Sequence, residues 1–211
     1  MPPSSEEPGS LEVERHSHRV RSPRNALFRA ISRVVAGTVP VKNLGMQRFQ
    51  SFKFRLTATT DQQLEMRRIA GCCRFVFNRA LALQNQRLDE GRKLMGSEEL
   101  TLLLAEWRRH PDSLWLADAP FGTQRQSLRN LVQAFVRHSS QLTQPPRFKK
   151  RGRSDSFRCA VLKDIQLDQK NSRIHLPNLG WVRYRNSRAV MGSIRTVTVS
   201  ASGASAGTRR R

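Results

Sequence analysis

The fold turns on Pro145-Pro146-Arg147-Phe148-Lys149-Lys150-Arg151-Gly152-Arg153-Ser154-Asp155-Ser156-Phe157-Arg158, where a helical pattern gives way to a strand pattern. Six of these fourteen residues are Arg or Lys, one is acidic, and Phe148 and Phe157 stand inside the charge. A protein core has no use for so much positive charge at one point. A phosphate backbone does, because each neutralised phosphate releases condensed counterion, and aromatic rings among the cations offer stacking faces for bases. The plainer reading is a solvated basic linker or localisation tract.

Upstream of the stretch the pattern is helical. A helix is expected from about Gly122 to Leu142, with Leu128, Leu131, Val132 and Phe135 on one face and Pro145-Pro146 as its stop. A second spans Ser97 to Arg108, with Ser97 as N-cap and Glu98-Glu99 near its positive end. Trp107, Leu114, Trp115 and Leu116 read as packing residues. Before it, Thr60 and Gln63 are spaced as a capping box. Leu64, Cys73, Phe77, Leu81 and Leu88 then recur at near-helical intervals as far as Gly91, with Gly71 weakening the middle. Earlier still, Phe49, Ser51, Lys53 and Arg55 alternate with Gln50, Phe52, Phe54 and Leu56, which is a strand with one buried face.

Downstream the reading is β. Strand candidates are Cys159 to Leu162, Ile165 to Asp168, Arg173 to Pro177, Trp181 to Arg185 and Ile194 to Val199, separated by turn-rich segments. The order of one strand, three helices and several strands gives an α+β fold: a small barrel interrupted by a helical insertion. The expected divisions are a disordered basic leader at 1–45, the first barrel strand at 46–58 and the helical insertion at 59–144. The basic junction and remaining strands follow at 145–199, then a disordered Ser/Ala/Gly/Arg tail at 200–211.

The 211 residues fit one domain or slightly more. The net charge is +22, and residues 147–211 carry 16 basic against 3 acidic side chains. The nucleic-acid bias is therefore strongest in the C-terminal third. No run of about eighteen apolar residues exists, so no transmembrane helix is expected. The first residues lack a secretory pattern. Three cysteines, two of them adjacent, suit a reducing cytoplasm.

No catalytic constellation is legible. Asp61, Asp89, Asp112, Asp118 and Asp155 fall at caps, turns or basic loops, and Asp164 and Asp168 read as hairpin ends rather than as metal-binding carboxylates. Cys72 and Cys73 are neighbours and Cys159 has no CxxC partner, so zinc is unsupported. His110, His138 and His175 are isolated. Neither a metal nor a cofactor is expected.

Four motifs, in order, resemble one family. Gly71-Cys72-Cys73-Arg74-Phe75-Val76-Phe77-Asn78-Arg79-Ala80-Leu81 resembles the signature of the TnpB (OrfB) proteins of insertion sequences, and Phe52-Lys53-Phe54-Arg55-Leu56 their first strand. The stretch at 145–158 resembles their PRFKK-and-SFR segment, and Ile174 to Arg183 the strand pair that follows. The resemblance covers about residues 46–199. It implies part of an RNA-guided DNA endonuclease whose N-terminal half is a wedge barrel interrupted by a helical recognition lobe, also described as a helix-turn-helix domain. The family's C-terminal half is a RuvC-like nuclease with three metal-binding carboxylates and usually a zinc ribbon. After Val199 this chain runs instead into Ser, Ala, Gly and Arg, which reads as a truncated or frameshifted member. No catalytic residue carries over.

The expectation is thus a binder of guide RNA and DNA that works through backbone contacts and does not cut. The phosphate contacts expected are Arg147, Lys149, Lys150, Arg151, Arg153 and Arg158, then Arg74, Asn78 and Arg79, with Lys53, Arg55, Arg183 and Arg185 on the strands. An active endonuclease or transposase, or a non-functional unfolded product, are the alternatives.

Overall fold

A computed structural model describes residues 29–40, 47–152, 155–160, 164–190 and 193–202; at 29–40, 47–49 and 202 the description is of the backbone. Its elements are β1 (Arg29–Pro40), β2 (Gln47–Thr57), α1 (Thr60–Asp89), α2 (Ser97–Trp107), a 3-10 segment (Pro111–Asp118), α3 (Phe121–Ser139), β3 (Ser156–Cys159), β4 (Gln166–Asp168), β5 (Arg173–Leu176), β6 (Gly180–Tyr184) and β7 (Ile194–Ser202). Among the described residues the helices lie between β2 and β3, in the expected α+β class.

The seven strands form one sheet in the order β3-β7-β1-β2-β6-β5-β4, and every pairing is antiparallel. The sheet curls into a half barrel. Its two wings meet at the end of β2, where Leu56 and Thr57 pair with Tyr184 and Arg183 and the Arg185 amide donates to the Arg55 carbonyl at 2.8 Å.

β2 buries Phe52, Phe54 and Leu56 and exposes Ser51, Lys53 and Arg55, as its alternation dictates. α1 buries Met66, Ile69, Cys73, Val76, Phe77, Ala80 and Leu81 in the same core. α2 adds Leu100, Leu104 and Trp107, and α3 adds Leu128, Leu131 and Phe135. Together with Phe157, Ile174, Leu176, Val182, Val197 and Val199 of the later strands they make one continuous core.

Several expectations need correction. Residues 29–40, placed in an unstructured leader, form β1, which is hydrogen-bonded on both sides by β2 and β7. Long-range pairing supplies what the short apolar cluster could not, and the β-branched Ile31, Val34, Val35 and Val39 suit a strand. The rest of 1–45 lies outside the described residues, apart from Arg29 to Pro40. At the other end β7 runs three residues past Val199, to Ser202. The capping box sits one residue earlier than expected: the Gln62 amide donates to the Thr59 hydroxyl at 3.3 Å and the Thr59 amide to Gln62 Oε1 at 3.2 Å. Gly71 does not break α1, because flanking Ile69, Ala70, Cys72 and Cys73 are all buried and packing outweighs propensity.

Ser97 is the first residue of α2 rather than its cap, and the Glu99 carboxylate accepts from the Gly96 amide at 2.7 Å. α3 stops at Ser139, well before the prolines, where Gln141 takes a positive φ of 57°. Leu64, Leu88 and Leu114 are exposed rather than packed, and Trp115 is partly exposed. The strand expected at Cys159 to Leu162 lies earlier, at Ser156–Cys159, and residues 161–163 fall outside the described residues.

Candidate nucleic-acid interface

The basic stretch is not a loose linker. Asn78 on α1 holds its backbone from both sides: its Nδ2 donates to the Lys149 carbonyl at 3.0 Å, and its Oδ1 accepts from the Lys149 amide at 2.8 Å. Four residues earlier on the same helix, Arg74 pairs with Asp155, whose other oxygen accepts from the Gly152 amide at 3.1 Å. Gly152 has φ 76°, the left-handed region in which glycine carries no Cβ penalty. Helical spacing puts Arg74 and Asn78 one above the other, so α1 grips the stretch at two points. This is why an Arg and an Asn stand four apart in the Gly71–Leu81 motif.

The grip sorts the cations. Lys149 is half-buried, with its ammonium 4.1 Å from the centre of the Phe77 ring, and burial pulls its pKa below the ordinary lysine value. Arg74 is committed to Asp155. Arg79 lies over the Trp107 ring at 4.6 Å. Arg147, Lys150, Arg151 and Arg158 are exposed, as is Phe148. Arg153 lies outside the described residues.

The outward face of the sheet carries a second set. Lys53, Arg55, Arg183 and Arg185 are exposed. Strand register aligns Arg158 with Thr198, Thr198 with Arg33, and Arg33 with Lys53, which places four neighbouring positions in one row across β3, β7, β1 and β2. Residues directly opposite share a face of the sheet. Arg158 thus joins the end of the basic stretch to the sheet.

Two neighbouring features were not legible in the sequence. A groove of about 490 Å³ runs along α1, lined by Arg68, Arg74, Phe75, Asn78, Arg79 and Trp115. Phe75 and Trp115 meet edge to face at 5.0 Å in it, and the pairing of Arg68 with Asp118 ties the 3-10 segment to its rim. Trp115 lies forty residues from Phe75 in the chain, so no local pattern signals the pair. The second feature is a smaller polar pocket behind Lys149, described below.

Nothing in the described residues brings three or more His, Cys, Asp or Glu side chains together as a metal would need. The thiols of Cys73 and Cys159 are pushed up to about 12 by burial, away from nucleophilic reactivity. Among the described residues no helix is long and apolar enough to cross a membrane.

Residues 46–93 match the helix-turn-helix domain of OrfB-type insertion-sequence proteins. Over 157 residues, 74% of this chain, the sequence is 48% identical to "Putative RNA-guided DNA endonuclease InsQ" of Escherichia coli (strain K12). Over these residues the chain is similar to the TnpB/OrfB proteins of insertion sequences. A second relative, "Putative RNA-guided DNA endonuclease" of Streptomyces pristinaespiralis, is 28% identical over 105 residues, half of this chain. The chain spans 39% and 26% of the lengths of these two family members. Of the matched residues, those described comprise β2 and the uninterrupted helix α1; the next helix, α2, begins beyond them.

Proposed function

We propose that this chain is a transposon-associated nucleic-acid-binding unit that holds guide RNA and target DNA by their backbones and supplies no cleavage chemistry of its own. On this reading the half barrel is the family's wedge and residues 59–144 its recognition lobe, with the junction at 145–158 clamping a strand where the two meet. The observation that carries it is the pinned basic stretch. Asn78 and Asp155 fix the backbone while Arg147, Lys150, Arg151 and Arg158 stay exposed. A cation held on a fixed backbone loses less freedom on meeting a phosphate than one on a mobile tail. The second row, Lys53, Arg55, Arg183 and Arg185, extends the same surface over the sheet, and Arg158 connects the two.

The test is binding of RNA and DNA across a salt series. Backbone contact requires log affinity to fall linearly with log salt, by about 0.9 per phosphate for duplex DNA and about 0.7 for single strands. A slope near zero sinks the proposal. A companion assay with magnesium and the purified chain alone is expected to show no cleavage, and cut product would restore the endonuclease reading.

A further inference from the structure

Behind Lys149 lies a pocket of about 150 Å³ where α1, α3, β3 and β7 come together. It is far below the roughly 300–1,000 Å³ of pockets that take whole organic ligands. Its wall is polar: Lys149 and Arg158 supply two cations, and Asn130, Ser156 and Thr198 supply neutral groups. No carboxylate lines it. Such a site has room and chemistry for one small oxyanion.

Hydrogen bonding shows which donors remain. The hydroxyls of Thr123 and Ser127, also in the wall, are spent on the carbonyls of Pro120 at 2.7 Å and Cys73 at 2.9 Å. Asn130 uses its Oδ1 to accept from Gln126 at 3.1 Å, which leaves its NH2 to donate. Thr198 Oγ1 accepts from Arg158 Nε at 3.4 Å, so its proton and the Arg158 terminal nitrogens remain. Among the described residues no acid pairs with Lys149, whose ammonium lies over the face of Phe77. The free groups are all donors.

We propose that this pocket seats a single phosphate group, held by Lys149, Arg158, the Asn130 amide and the Thr198 hydroxyl. The inference rests on the nucleic-acid reading above and narrows it to one phosphodiester of the bound strand, seated where α1, α3, β3 and β7 meet. The half-buried Lys149 otherwise has the Phe77 face but no anionic partner among the described residues. An incoming phosphate supplies the missing counter-charge, and charge-assisted hydrogen bonds to it are stronger than neutral ones. The lowered lysine pKa comes from burial.

The experiment uses the full chain labelled with 15N, with Asn130→Asp as the variant. Aspartate keeps the acceptor for Gln126 and fills the pocket with its own negative charge, so the fold is retained and its melting temperature stays level or rises. A duplex oligonucleotide is expected to shift the Asn130 side-chain amide resonance. Asn130→Asp is expected to weaken binding about tenfold and to lower the log–log salt slope by about 0.9, the share of one contact. If inorganic phosphate shifts the resonance and the oligonucleotide does not, the seat stands and its occupant is the free ion. An unmoved resonance with both probes, together with an unchanged slope in the variant, overturns the pocket; the wild-type slope then still decides the nucleic-acid reading separately. Should Asn130→Asp not fold, the exposed Arg158→Gln carries the same expectation.

Discussion

The helices and the sheet spend their positive charge in opposite ways. Within the helical insertion, Arg68 pairs with Asp118, Arg74 with Asp155 and Arg129 with Glu98, while Arg79 lies over Trp107. Arg108 donates from Nη1 to the carbonyls of Leu116 and Ala119 and to Gln124 Oε1, at 2.7–2.9 Å. On the sheet, Lys53, Arg55, Arg183 and Arg185 stay exposed, and of the arginines there Arg173 is the one held by an acid, Asp168, among the described residues. Net charge therefore overstates the surface open to phosphate. The helical cations named here are committed to other parts of the molecule, while the exposed cations of the sheet and of the pinned stretch face water. Lys149 and Lys150 show the divide between adjacent residues, one facing Phe77 and the other water.

The largest expected effect tests the structural side of that divide. Asn78→Ala removes both bonds to the Lys149 backbone and leaves its part-buried amide and carbonyl unpaired. Each such group costs about 1–3 kcal/mol, so urea unfolding should show a loss of about 3 kcal/mol. Nucleic-acid affinity should fall alike for all sequences, because the exposed cations lose their fixed placement. A loss under about 0.5 kcal/mol would mean that the stretch does not depend on α1.

The opposite signature is expected for the triple replacement Arg147→Ala, Lys150→Ala and Arg151→Ala. These side chains are exposed, and exposed positions change stability by no more than about 0.5 kcal/mol each. The salt slope for duplex DNA should drop by roughly 2 to 3. Stability lost with the slope intact would reverse the assignment of the two sides. Lys53→Ala with Arg55→Ala extends the test to the sheet, with an expected drop of about 2.

The sequence disclosed the order of elements and the faces of β2 and α3, because each follows from a local period: alternation buries Phe52, Phe54 and Leu56, and helical spacing buries Leu128, Leu131 and Phe135. β1 was hidden, since its pairing partners lie at 47–57 and 194–202 and its own apolar run is short. The site was legible as charge and illegible as geometry. Nothing in the sequence showed that Asn78 holds the Lys149 backbone or that the Lys149 ammonium lies over Phe77. Their mutual clamp spans 71 residues, and nothing local distinguishes a hydrogen-bonding Asn that holds backbone from one that holds phosphate.

A smaller effect probes the acid-held Arg173 of the sheet. Hydrogen bonds from the Asn171 side chain and backbone, then from Arg173, hold the Asp168 carboxyl down at about 2. A carboxylate whose folded pKa lies below its unfolded value of 3.8 contributes stability above that value and loses it as pH falls towards 2. Asp168→Asn should therefore melt below the wild type at pH 7 and converge with it near pH 2. Parallel curves would show that the charge contributes nothing at the β4–β5 turn.

The smallest effect probes the seam between the two wings of the sheet. Tyr184 pairs with Leu56 there, its ring lies 5.0 Å from Phe54, and its buried hydroxyl has no hydrogen-bond partner among the described residues. Removing an unpartnered buried hydroxyl while keeping the ring relieves a desolvation cost without opening a cavity. Tyr184→Phe is expected to raise stability by up to about 1 kcal/mol in urea unfolding and to leave nucleic-acid affinity unchanged. A loss of more than about 1 kcal/mol would mean that the hydroxyl is bonded, and that the seam is held by a polar contact as well as by packing. The neighbouring Arg183 and Arg185 would then owe their placement on the outer face to that bond rather than to the alternation of β6 alone.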